Sequence, residues 1–141
     1  MFHETLTMTG TLAIAINGEI VKEVPNLVVT TGKNYVASRM KDTTESAMSH
    51  MAIGTSDTAA AVGDTTLGTE VHRNTLTSTT VVDNAVTYVA GYAAGEGTGA
   101  ITEAGLFNAS SGGTMLCRTV FDVVNKGALD SMTVTWVVSV S

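Results

Sequence analysis

The sequence predicts a mainly β domain, an antiparallel sandwich or barrel of nine or ten strands with one short helix. Three observations carry this reading. Both ends of the 141-residue chain alternate between apolar residues and hydroxylated or small ones, with Val137 the one break in the closing segment. Short alternating runs recur between them, separated by Asn-Gly and glycine-rich turn signals. Only 14% of residues are charged, against a typical figure of about 25%, and Thr, Ser and Gly supply the missing polarity. β-Branched Thr suits a pleated surface, and alternation with a period of two places one set of side chains in a core.

The closing segment, 131–141, puts Met132, Val134, Trp136, Val138 and Val140 on one face, with Ser131, Thr133, Thr135, Ser139 and Ser141 on the other. It carries the only Trp. At the other end, Leu6, Met8, Leu12, Ile14 and Ile16 share a face with Gly10, opposite Thr5, Thr7, Thr9, Thr11, Ala13 and Ala15. Asn17-Gly18 then predicts a type I′ hairpin, and a return strand runs over 19–24 until Pro25, which has no N–H to give a ladder. A short strand is expected over 26–30. Thr31 reads as the N-cap of a helix over 32–41, with Tyr35, Val36 and Met40 as its apolar face and Lys33, Arg39 and Lys41 elsewhere.

Residues 42–49 are polar and loop-like, and Met51-Ala52-Ile53 is a strand ending at Gly54. Residues 55–68 form a long loop. Such loops are uncommon in compact domains and are usually functional or held by a partner. One alternating strand is expected over 71–82 and another on Val86, Tyr88, Ala90 and Tyr92. The glycines at 95–99 make a turn. Strands follow over 101–107 and 114–124, and Asn125-Lys126-Gly127 turns the chain into the last strand. The whole reads as a single domain, 1–141.

The net charge of −6 argues against a non-specific grip on nucleic acid. No apolar run approaches the length of a membrane helix, and no basic-then-apolar leader opens the chain, so a soluble, cytoplasm-like setting is expected. One cysteine, Cys117, excludes an intramolecular disulfide. Met115, Cys117, Thr119, Phe121 and Val123 share a parity that places the thiol in the core, with Arg118 on the opposite face.

A search for chemistry comes out empty. His3, His50 and His72 are 47 and 22 residues apart and match no metal template. Gly95-Glu96-Gly97-Thr98-Gly99-Ala100 fits GxGxxA, but the following Ile101-Thr102-Glu103-Ala104-Gly105-Leu106-Phe107 is a strand where a phosphate loop needs a helix. Asp57 and Asp64, like Glu96 and Glu103, are read as solvated loop charges. No cofactor is expected.

Four segments taken together resemble small virion proteins of tailed bacteriophages: 26–34 (NLVVTTGKN), 48–55 (MSHMAIGT), 95–108 (GEGTGAITEAGLFN) and 125–128 (NKGA) with the closing strand. This group includes head decoration, or cement, proteins with jelly-roll-like sandwiches and β domains of tail fibres and baseplates. The resemblance spans roughly 26–141. It implies a structural protein on the outside of the phage head, assembled in the host cytoplasm, that binds the major capsid protein, stabilises the shell by bridging capsid subunits and self-associates, with a homotrimer as the implied form. Neither nucleic acid nor membrane is an implied partner, and no catalytic motif is implied. The competing readings are a tail-fibre or baseplate component and a carbohydrate-binding domain. Contacts are expected from two loops, at Thr55, Asp57, Gly63 and Asp64 and at Glu96 and Thr98.

Overall fold

The structure, a computed structural model, describes residues 4–41 and 45–141. His3, and residues 42–44 of the loop expected over 42–49, lie outside the described residues. The strands are β1 (Met8–Ile16), β2 (Glu19–Pro25), β3 (Leu27–Val28), β4 (His50–Gly54), β5 (Glu70–Thr75), β6 (Ser78–Val82), β7 (Ala85–Tyr92), β8 (Gly99–Phe107), β9 (Met115–Lys126) and β10 (Met132–Val140). The helix, α1, spans Thr30–Arg39. Sheet A has the order β2-β1-β10-β7-β6, and sheet B the order β3-β9-β8-β4-β5. Every pairing is antiparallel, and the expected sandwich is formed.

The two alternating ends of the chain are neighbours. β1 and β10 pair in unbroken register from Met8↔Val140 to Ile16↔Met132, so the two apolar parities fall on one face. Leu12, Ile14, Tyr88, Tyr92, Val134 and Trp136 meet Met51, Ile53, Ile101, Leu106, Cys117 and Phe121 of sheet B in one core. Asn17 and Gly18 hold positive φ angles of 50° and 84°, as the type I′ turn requires. The buried Tyr92 hydroxyl donates to the Met51 carbonyl at 2.7 Å, tying the sheets through the core. Burial pushes the Tyr88 phenol up to about 12.

Several local expectations are corrected. Thr31 is not the N-cap; Val29 holds that position in extended conformation, without a side-chain cap. The Thr31 hydroxyl donates instead to the Met115 carbonyl at 3.0 Å, so the helix start is fixed by its seat on β9. Met40, expected on the apolar face, is 83% exposed, while Tyr35 and Val36 do pack on the core. The expected strand over 71–82 is two strands in different sheets. The Leu76 N–H bonds the Ser49 carbonyl of the β4 side, and the next, Thr77, bonds Val89 of β7. The chain crosses between sheets at that peptide.

β9 also departs from simple alternation. Its register runs Glu103↔Val120 and then Ile101↔Val124, so β8 advances two residues while β9 advances four. The inward positions are therefore Cys117, Phe121 and then Val124, and Val123 is turned out and 52% exposed. Asn125 and Lys126 belong to β9 rather than to a turn. Lys126 is buried, its ammonium donating to the carbonyls of Ala93 (2.9 Å) and Asp130 (2.7 Å). Asp130 closes the actual turn. The Asn17 amide and the Gly127 N–H bond its carboxylate and hold its pKa below the usual range.

Cys117 is fully buried, and burial raises its thiol pKa. A thiol reagent at neutral pH should therefore label it at least about a hundredfold more slowly in native protein than in denaturant, since only the exposed thiolate reacts. Equal rates in a timed-quench labelling experiment would remove it from the core.

Candidate interaction surface

The outer face of sheet B is covered by the chain itself. Glu103, in the middle of β8, points outward from the core yet has no exposed surface. Its carboxylate accepts five hydrogen bonds. Three come from backbone N–H groups of Ser56 (3.0 Å), Gly68 (2.8 Å) and Thr69 (2.7 Å). Two come from Nε (3.2 Å) and Nη2 (3.0 Å) of Arg118 on β9. Arg118 also donates to Asp64 Oδ2 at 2.9 Å and to the Thr58 carbonyl at 3.0 Å. Loop 55–68 is thus fastened flat over the sheet by one ion pair that it solvates with its own backbone.

Apolar packing completes this third layer. Leu67 sits with Val29, Ala52, Phe107 and Met115 in a second, smaller core. Two strand glycines make room: a Cβ on Gly105 would stand 2.9 Å from Leu67 Cδ2, and one on Gly54 would run into the Glu103 carboxylate and the Thr69 carbonyl. Glu103 and Asp64 are consequently not solvated loop charges. The long loop also needs no partner to order it, and that ground for assigning it a contact falls away. Thr55, Asp57 and Gly63 do remain exposed on it.

Glu96 and Thr98 lie on the β7–β8 turn, where Gly95, Gly97 and Gly99 take positive φ and a strand follows, as expected. Glu96 accepts from the Ala93 N–H (2.7 Å) and the Asn74 amide (3.3 Å), and His72 Nε2 stands 3.4 Å away. The Ala93 bond, with the Asn74 and His72 contacts adding to it, lowers the Glu96 pKa. His72 is set edge-on to Tyr92, and His50 contacts Ser49 (2.8 Å) and Thr75 (3.3 Å). Both predicted contact loops are therefore held by intramolecular partners of their own.

The feature that sequence reading did not assemble is the outer face of sheet A. Register places Thr11, Ala13 and Ala15 beside Val137, Thr135 and Thr133. These continue into Thr87, Val89 and Gly91 of β7, and on to Thr80 and Ser78 of β6. β1, β6, β7 and β10 contain no charged residue at all. On β2 the same face adds Pro25, Glu23 and Ile20. A shallow groove of about 380 Å³ crosses it between Thr11, Ala13, Glu23, Pro25, Thr135 and Val137. None of the residues named on this face is buried.

Among the described residues, no group of three or more His, Cys, Asp and Glu side chains could hold a metal ion. No described helix is long and apolar enough to cross a membrane. Trp136, Tyr88 and Tyr92 are all in the core and Tyr35 is half-buried, so none forms an open aromatic platform. The fold is a β-sandwich, and the outer face of its sheet A carries Glu23 as its one charge across these registers. Compared with protein-family models, curated proteins and solved structures, the chain gives no match.

Proposed function

We propose that the chain is a non-catalytic structural module that attaches, through the outer face of sheet A, to the outside of a multi-copy protein shell. The resemblance of its segments to virion proteins points to a tailed-phage head as that shell, and to the major capsid protein as the partner. One observation carries the reading: the chain covers the outside of sheet B with its own loop, and leaves the outside of sheet A uncovered and almost uncharged. Hydroxyl and small apolar side chains can be covered without leaving a charge unpaired, which would be costly in an interface core. Attachment in many self-associating copies allows each contact to be weak, because effective concentration tightens the whole.

The test is a titration of the chain onto heads stripped of it, at low and high salt. Saturable binding that changes little with salt is expected, since uncharged contacts are not screened. Thr135→Arg, in the centre of the face, should weaken binding by at least about tenfold by placing an unpaired charge in the contact. Its thermal melt should be unchanged, because Thr135 points away from the core. Full binding by the variant would free this face of the role. Binding to tails alone would make the protein a tail-fibre or baseplate component, and bound heads no more resistant to heat would remove the cementing role.

A further inference from the structure

The sandwich has four strand edges, and three are guarded against pairing with another chain. β2 carries Glu19, Lys22, Glu23 and Pro25 together with a register shift against β1. β3 is only two residues long. β5 carries Glu70 and Arg73, joined by two hydrogen bonds of 2.7 and 3.0 Å, and its pairing with β4 also slips. Charges, proline, bulges and shortness are the devices that keep sheet edges from adding strands.

The fourth edge has none of them. β6 reads Ser78-Thr79-Thr80-Val81-Val82, in regular register with β7, and every one of its residues is exposed. It is rich in strand-forming side chains and uncharged, and among the described residues no strand pairs with its outer side.

We propose that β6 is a strand-addition edge, and that its occupant is β6 of a second copy, antiparallel across a two-fold axis at Thr80. Charge selects this occupant. Copies of a chain of net charge −6 repel one another, and the approach must be made where no acid faces an acid. About Thr80 the pairs are Ser78↔Val82 and Thr79↔Val81, and the one nearby acid, Asp83, falls opposite Thr77. Two-fold pairing at the β2 or β5 edge would bring charged side chains together, and β3 is too short to pair.

Size supports the same arrangement. Five strands spaced about 4.8 Å apart, each about 25 Å long, give sheet A an outer face of roughly 600 Å². A standard stable interface takes about 800 Å² from each partner. Because Ser78, Thr80 and Val82 lie on the open face of sheet A, the pairing joins two such faces into one ten-stranded surface. An isologous edge contact closes at two copies, in place of the trimer that the resemblance implies. The size argument rests on the proposed use of sheet A as a contact face, whereas the charge argument and the test below concern the isolated chain alone.

Sedimentation equilibrium from micromolar to about millimolar concentration tests it, a range that covers weak dimers. The mass should rise from 14.5 kDa toward twice that value. Thr80→Lys sets two like charges directly opposite at the axis and should raise the dimer Kd by at least about tenfold, with the thermal melt unchanged. Thr80→Cys should form an intermolecular disulfide on mild oxidation, because paired Cα atoms across strands lie within disulfide reach. The link is unambiguous, since Cys117 is buried. A wild-type chain that stays monomeric throughout overturns the proposal. So does a dimer indifferent to Thr80→Lys, or one that Thr80→Cys fails to cross-link.

Discussion

Replacing Arg118 with methionine is expected to destabilise the protein by about 3–5 kcal/mol, the usual cost of removing one partner of a buried ion pair. Methionine nearly matches the arginine stem in length, so the loss is electrostatic rather than a large cavity. Glu103 would keep its three backbone N–H donors but lose its cation, in a position with no exposed surface. Asp64 and the Thr58 carbonyl would lose their donor as well. Loop 55–68 should loosen first, because Glu103 and Arg118 are what its backbone is bonded to. Chemical denaturation gives the cost, and hydrogen exchange at Ser56, Gly68 and Thr69 locates it. Removing both charges together, as Glu103→Leu with Arg118→Met, should cost clearly less than the sum of the single changes, because neither charge is then left alone. A loss below about 1 kcal/mol for Arg118→Met would mean that water reaches Glu103 and that the loop is held by its other anchors, Leu67 and the bonds from the Thr102 hydroxyl to Ser56 and from the Thr30 N–H to Val62.

The pairing of Glu103 with Arg118 marks the limit of sequence reading here. Alternation along 5–16 and 131–141, and the Asn-Gly turn, were enough to place β1, β2 and β10, because those signals are local. A charge embedded in an apolar strand was also visible at Ile101-Thr102-Glu103-Ala104, and again at Leu116-Cys117-Arg118. Each needs a buried partner, and that requirement could have linked the two. The donors from Ser56, Gly68 and Thr69 could not be foreseen, since they depend on a loop folding back over the sheet. Val123 was misplaced for a different reason: the inward positions of β9 step by three from Phe121 to Val124, which reverses the parity, and no residue type marks that irregularity. The crossing at Leu76-Thr77 left no trace either, because alternation continues through it while the hydrogen-bonding partner changes sheets. The hydroxylated faces of β1 and β10 were legible one strand at a time. Their union into a single, almost uncharged face needed the register of five strands, which only the fold supplies.

Trp136→Ala should cost about 3–5 kcal/mol, as expected for deleting a large buried aromatic. Trp136 is completely buried on the central strand of sheet A, with Leu12 on one side and Tyr88 on the other in register. Its neighbours are held by two ladders and cannot close a void of that size without breaking the pairing of β1 with β10. Trp136→Phe separates packing from polarity. The indole Nε1 is buried without a hydrogen-bond partner, and an unpaired buried donor itself costs roughly 1–3 kcal/mol. Phenylalanine loses part of the packing but removes that donor, so its net cost should be below about 2 kcal/mol. Denaturant melts of the two variants, with near-ultraviolet circular dichroism to follow tertiary packing, give both numbers. A cost for Phe well above about 2 kcal/mol would mean that the indole nitrogen is satisfied and contributes to stability. A negligible cost for Ala would place Trp136 at the surface, where it would be free to stack on a sugar ring and the carbohydrate-binding reading would regain its footing.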